Sequence, residues 1–281
     1  MNLFHNRSRL VAASIAGVFA AGSVLTLGAA PAGAVDTSYT CTLTTGAVPF
    51  PTSAANPLPK TVVKGSKVPV KKLSMDVTVP NEVVGLLGFL GVTSLSVAEP
   101  TMTVGQIPVP VNNLGAALPA TPADPYVVKM SGKTSSFTAP DKLGTYPVKL
   151  PESFGLVPAA GETPIGTFPC APTAGASTKV GTMRVVNASK MTAKLTNAPV
   201  TTAERARVAV GVVTEGKAAK GQVVAKQGKK VLARGKLNDK GRALLRLPKL
   251  ERGQQKVVVR YLGNKTTNAG QKVLKFVVRR G

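Results

Sequence analysis

The sequence predicts an all-β protein built as two β-sandwich domains, and three observations carry that prediction. Short runs of β-branched and apolar residues recur along the chain, several alternating with polar residues at a period of two. Glycine and proline, 28 and 22 of the 281 residues, punctuate those runs and leave little room for long helices. Charge then divides the chain. Residues 179–281 hold 25 Lys or Arg against four acids, a net of +21, whereas residues 35–178 net only +1.

The N-terminus has the three parts of a secretory signal. Arg7 and Arg9 precede an uncharged apolar run over 10–27, and Pro31-Ala32-Gly33-Ala34 places small residues before an expected cleavage at Val35. Residues 1–34 are therefore read as a signal peptide and 35–170 as a neutral sandwich. Residues 171–189 are read as a linker and 190–281 as a basic sandwich. Cys41 and Cys170 lie near the two ends of the neutral segment, and an even cysteine count in an exported protein points to one disulfide. The chain stops at Val278-Arg279-Arg280-Gly281 without an apolar tail, so neither a surface anchor nor a membrane span after signal cleavage is expected. A monomer, secreted or loosely associated with the cell wall, is the expected product.

In the neutral segment, β-type runs fall at 38–43, 68–79, 93–104, 126–130 and 145–150. Over 72–79, Leu73, Met75, Val77 and Val79 share one face, and Lys72, Ser74, Asp76 and Thr78 share the other. Prolines 80, 100, 108, 110, 147 and 151 are read as strand ends or edges, because proline cannot donate to a ladder. Asn81 is expected to cap a short apolar helix over 82–90, with Glu82 at the positive end of its dipole. That helix would plug one end of the sandwich, with an apolar ligand pocket beneath it as the alternative. The small and polar stretch 170–178 follows and has linker composition.

The basic segment is more regular. Runs at 191–196, 205–213, 221–226, 231–237, 241–247, 256–262 and 273–278 are separated by turn signals such as Gln227-Gly228 and Asn238-Asp239-Lys240-Gly241. About seven short strands in this length fit an immunoglobulin-like sandwich. Val257, Val259 and Tyr261 read inward, as do Ala243, Leu245 and Leu247, while Arg242, Leu244 and Arg246 read outward. The positions Gly221-x-Val223, Gly241-x-Ala243-x-Leu245-x-Leu247-Pro248-x-Leu250-x-x-Gly253 and Val257-x-Val259-x-Tyr261-x-Gly263-Asn264 resemble the bacterial Ig-like repeat modules of exported surface proteins. The resemblance covers about residues 190–279. It implies a spacer or adhesion-type module, usually without catalysis, although such modules are commonly tandem and not basic. The neutral segment, from Tyr39-Thr40-Cys41 to Phe168-Pro169-Cys170, is similar to an uncharacterised β-rich domain of actinobacterial secreted proteins.

Catalytic chemistry is sparse. The one histidine, His5, belongs to the signal segment, which removes imidazole acid–base catalysis, Ser-His triads and imidazole metal ligands from the mature chain. With both cysteines paired, neither a thiolate nucleophile nor a thiolate metal site is expected, and no cofactor is implied. Asp76, Glu82, Glu99, Asp124, Asp141, Glu152 and Glu162 are scattered, and the chain has no tryptophan to platform a sugar. A carboxylate-dependent glycan hydrolase delivered by the basic segment is the alternative reading.

The preferred reading is a secreted, non-catalytic structural or binding protein. Its candidate polyanion-binding residues are Arg205, Arg207, Lys229, Lys230, Arg234, Lys236, Arg242, Arg246, Lys256, Arg260 and Lys275. Their expected partner is an anionic cell-wall polymer or an anionic lipid surface, reached by electrostatics. Sequence-specific nucleic-acid binding is not expected, since the segment offers only Tyr261 and Phe276 for stacking and both read as core.

Overall fold

The protein is described by a computed structural model over residues 33–119 and 123–281, so the signal-peptide reading lies outside the described residues apart from Gly33 and Ala34. The strands of the first half are β1 (Ala34–Leu43), β2 (Gly46–Ala55), β3 (Thr61–Val63), β4 (Lys67–Val68) and β5 (Lys72–Val79), followed by the helix α1 (Asn81–Phe89). There follow β6 (Ser94–Ala98), β7 (Thr101–Val104), β8 (Ile107–Ala117), β9 (Tyr126–Thr134) and β10 (Phe137–Thr138). Next come β11 (Gly144–Lys149), β12 (Phe154–Ala160), β13 (Thr163–Pro164), β14 (Phe168–Pro172) and β15 (Lys179–Val186). The second half holds β16 (Ser189–Leu195), β17 (Val200–Thr201), β18 (Arg205–Thr214), β19 (Lys217–Ala218) and β20 (Gln222–Gln227). It ends with β21 (Lys230–Lys236), β22 (Arg242–Lys249), β23 (Gly253–Tyr261) and β24 (Gly270–Arg279).

The fold is all-β, and in the first half the pairing closes on itself. The ladder runs β12-β14-β1-β2-β5-β9-β8, and β6 then joins β8 back to β12, giving an antiparallel ring of eight strands. Alternation aims apolar side chains into this ring. On β5 the outward Ser74 and Asp76 contrast with the buried Leu73, Met75, Val77 and Val79. An eight-stranded ring is just wide enough for side chains to fill. Tyr39, Phe50, Met75, Met130, Phe154 and Leu156 do so here, leaving a void of about 20 Å³. From the first part of β8 a second arm continues through β7, β11, β15 and β3, and its Met102, Val104, Val148 and Met183 share the same buried cluster.

Two prolines sit inside β2 and two inside β8, where the sequence pattern showed only punctuation. Each strand forms a hairpin with a two-residue loop, closed by the pairs Leu43–Gly46 and Val104–Ile107. Hairpin geometry then puts Pro49, Pro51, Pro108 and Pro110 at non-hydrogen-bonded positions of their ladders, opposite Thr40, Ser38, Thr103 and Thr101. Their missing N–H groups face the other edge. There β5 joins β2 only from Thr52, and β9 joins β8 only from Val111. Prolines two apart lose donors on one edge only, which is how Pro108 and Pro110 are accommodated within a strand and not at its end.

The helix falls close to its expected place but starts one residue early. Asn81 is its first residue, Pro80 occupies the N-cap in an extended conformation, and no side chain caps the helix. Proline there pre-sets the backbone without needing an N–H. Val83 and Leu87 bury into the first cluster, while Phe89 at the far end is 87% exposed.

Residues 171–189, expected as a linker, do not run free. The end of β14 lies in that stretch, and β15 pairs antiparallel with β11 and parallel with β3. Val180, Met183 and Val185 alternate inward and are buried, so packing overrides the small, polar composition of the preceding turn. Only Asn187 and Ala188 separate β15 from β16. That junction is held by Asn187 N–H donating to the Thr266 carbonyl, by Asn268 N–H donating to the Asn187 carbonyl, and by a Lys64–Glu215 ion pair.

The second half is a sandwich of two sheets. One contains β16, β18 and β22 with the short β19, and the other runs β17-β24-β23-β20-β21. Its own buried cluster takes Met191, Val208, Val210 and Val212 from the first sheet and Val223, Val257, Val259 and Tyr261 from the second. Leu245 and Leu247 on β22 are 1% and 0% exposed, with Arg246 between them exposed.

Candidate polyanion-binding surface

Strand alternation decides where the cations of the second half go. With Ala206, Val208, Val210 and Val212 turned into the core, Arg205 and Arg207 on β18 must point to solvent. Arg242 and Arg246 do the same on β22. On the opposite sheet, Lys256 and Arg260 of β23, Lys275 of β24, and Arg234 and Lys236 of β21 are exposed. Lys229 and Lys230 stand at the β20–β21 hairpin, where Gly228 takes a positive φ of 56°. The structure thus gathers the eleven expected residues onto two opposite faces and one hairpin, not into one stripe.

Sequence reasoning missed Lys190, Lys194 and Lys249. Lys190 and Lys194 alternate with the inward Met191, Ala193 and Leu195 of β16. That alternation was the signal that would have found them. Lys249 lies opposite Arg205 at a bulge in the β18–β22 ladder, which sequence alone does not disclose.

These cations are not neutralised by the fold. Among the described residues the ion pairs are Lys64–Glu215, Lys129–Asp76 and Lys149–Glu152, so none joins two residues of the second half. Like charges even sit directly opposite one another, Arg207 against Arg246 and Lys256 against Lys275. Such cross-strand pairs destabilise a sheet. Stability therefore does not explain their placement.

The first half offers less. Asp76 pairs with Lys129 at 3.0 Å and Glu152 with Lys149 at 3.2 Å. Glu82 opens α1, Glu99 turns the chain between β6 and β7 at φ 48°, and Glu162 lies between β12 and β13. Among the described residues no three His, Cys, Asp or Glu side chains are grouped to hold a metal. Beside α1 lies an apolar cleft of about 330 Å³, bounded by Val84, Leu87, Val92, Leu118 and Tyr126. Burial raises the pKa of Tyr126, whose hydroxyl donates to the Pro119 carbonyl at 3.4 Å, so it stays a neutral phenol at ordinary pH. Burial does the same to Tyr39 and Tyr261, which donate to the carbonyls of Pro151 and Lys220 at 2.8 Å. All three hydroxyls thus donate to backbone carbonyls. Among the described residues no helix is long and apolar enough to cross a membrane.

Cys41 and Cys170 stand opposite each other on neighbouring strands β1 and β14 and form the disulfide, joining residues 129 apart in sequence.

The class defined by this geometry is an all-β protein of two packed cores, one closed by a disulfide and one covered with unpaired cations. The chain belongs to a family of unknown function, DUF6801, which it matches over residues 38–181. The match takes in all of the ring but the first four residues of β1 and ends within β15, leaving the basic half outside it. No curated protein matches the sequence. Among solved structures, the chain is similar to fibronectin(III)-like modules of Clostridium thermocellum CbhA, at 13% identity and a TM-score of 0.34, over 82% of this chain and 94% of that one. It is also similar to the Yersinia pseudotuberculosis adhesin InvE, at 13% identity and a TM-score of 0.25, over 80% of this chain and 58% of the adhesin. The BSP domain of a biofilm associated protein aligns at 6% identity and a TM-score of 0.26, over 90% of this chain and 53% of that one. The chain thus spans little more than half the length of the last two. At such scores these likenesses bear on neither activity nor partner.

Proposed function

We propose that the protein is a secreted, non-catalytic binding protein whose basic second half holds it to anionic polymers or lipid headgroups at a cell surface. The two halves act as separate domains that meet at Asn187 and Ala188, with the neutral ring presented outward. One observation carries this reading: the cations of the second half are exposed on both sheets, and none of them is paired within that half. An exported protein needs far fewer charges than these to stay soluble.

Electrostatic attachment of this kind is screened over about 8 Å at physiological ionic strength. The mature protein should therefore bind isolated cell envelopes at low salt and be released as salt rises. The fragment ending at Val186 should bind poorly under both conditions. Equal binding at low and high salt, or none at either, would overturn the reading.

A further inference from the structure

The two basic faces are not equivalent, and register separates them. On the outward side of the β16-β18-β22 sheet, β18 is the central strand, and two of its outward residues are Ala209 and Gly211. Lys194 and Leu244 flank Ala209, and Thr192 and Arg242 flank Gly211. Between Arg207 and Val213 the centre of this face therefore carries only Ala209 and Gly211, with the Thr192 hydroxyl leaning over Gly211, while Lys194, Leu244 and Arg242 rise beside them and leave a short, shallow trough along β18. Arg207 and Arg246 lie side by side at one end, and Lys190 stands opposite Val213 towards the other.

Successive outward residues of an antiparallel strand lie about 6.8 Å apart along the chain. Counted in those steps, the cations are Arg207 with Arg246, then Lys194, then Arg242, then Lys190. Every step offers a positive charge, and after the first pair they come from alternate sides of the trough. Glu204 and Glu215 lie only on the turns that bound β18, and Glu215 is committed to Lys64.

The opposite face has no such trough. There Val258 and Val273 stand opposite each other in the middle of the β23–β24 ladder, and Val273 and Val277 are 46% and 53% exposed. Its cations surround a filled apolar centre.

We infer that the β16-β18-β22 face binds one chain of a linear phosphodiester polymer lacking bases, lying along β18 over Ala209 and Gly211. This rests on the reading that the second half binds polyanions, and it names the face and the polymer. A thread with one anion per short repeat meets one cation per step, and its carbon backbone lies against Leu244, which is 52% exposed. The face carries no aromatic residue on which a base could stack, and single-strand nucleic-acid binders rely on such platforms.

The test uses the full mature chain and poly(glycerol phosphate), with a single-stranded oligonucleotide for comparison, at several salt concentrations. Arg207→Gln, Arg242→Gln and Arg246→Gln together should weaken binding to poly(glycerol phosphate) by on the order of a hundredfold and flatten its salt dependence by about two charges. Lys236→Gln, Lys256→Gln and Lys275→Gln remove the same charge from the opposite sheet and should cost only about fivefold. Ala209→Leu fills the trough without changing charge, and should weaken binding several-fold with the melting temperature unchanged. Equal losses from the two triple variants, or no effect of Ala209→Leu in a folded protein, would overturn the trough and leave diffuse attraction standing. Tighter binding of the oligonucleotide would overturn the choice of polymer. Failure of the unaltered protein to bind either polyanion at low salt would remove both this inference and the reading beneath it.

Discussion

The two halves of this molecule each bury an apolar core, the first the larger, by different means. The first closes eight strands into a ring and ties β1 to β14 through Cys41 and Cys170. The second stacks two open sheets with no disulfide, and does so under a net positive charge that the first half lacks. Self-repulsion works against compaction. The half with less covalent support therefore carries the greater electrostatic burden, and its core alone must hold it. The contrast is what the proposed attachment rests on, because the cations of the second half find no ion pair within it and do nothing for its stability.

The largest expected effect lies on the covalent side of the comparison. Reducing the disulfide, or replacing Cys41 and Cys170 by serine, should destabilise the first half by up to roughly 5 kcal/mol, since the bond closes a long loop. Calorimetry with and without reductant should show the first-half transition falling while the second-half transition stays in place. A single transition that shifts as a whole would mean the Asn187–Ala188 junction couples the halves, and the comparison would lose its basis.

On the other side, Leu247 is 0% exposed, and Leu247→Ala should cost about 3 kcal/mol in the second half alone. Denaturant unfolding followed separately in each half checks this. Gly241→Ala should cost about 1–2 kcal/mol, because Gly241 holds φ at +69° where L side chains are strained. A Cβ there would also run into the Val212 carbonyl. Addition of salt or a soluble polyanion should raise the second-half melting temperature by a few degrees, on the order of 1 kcal/mol, and leave the first half unmoved. The smallest effect belongs to the junction. Lys64 and Glu215 are both substantially exposed, so Lys64→Gln should cost under about 1 kcal/mol, read as a slight separation of the two transitions.

Some of this architecture was legible residue by residue. Leu73, Met75, Val77 and Val79 were assigned to one face by alternation alone and are buried, and so are Val257, Val259 and Tyr261. Asn238-Asp239-Lys240-Gly241 read as a turn, and the Asn238 side-chain oxygen accepts from the N–H groups of Lys240 and Arg242 to make one. The helix was legible, but its cap was not. Pro80 fixes the entry geometry, so the asparagine after it is drawn into the first turn.

The sequence by itself determined the inward faces over 72–79, 241–247 and 256–262, where the charge divides, and that the two cysteines pair, because these depend on local periodicity, composition and simple counting. Only the tertiary structure decided that β6 closes a ring between β8 and β12, and that β15 belongs to the first half and not to a linker. It alone disclosed that Pro49, Pro51, Pro108 and Pro110 lie within strands, and that Ala209 and Gly211 lie between Lys194 on one neighbouring strand and Arg242 on the other. The physical reason is that a period of two fixes a residue's face but not its neighbour across the ladder. Strand partners, and with them the rows of side chains on a sheet, are set by register between segments distant in sequence, which no local pattern encodes.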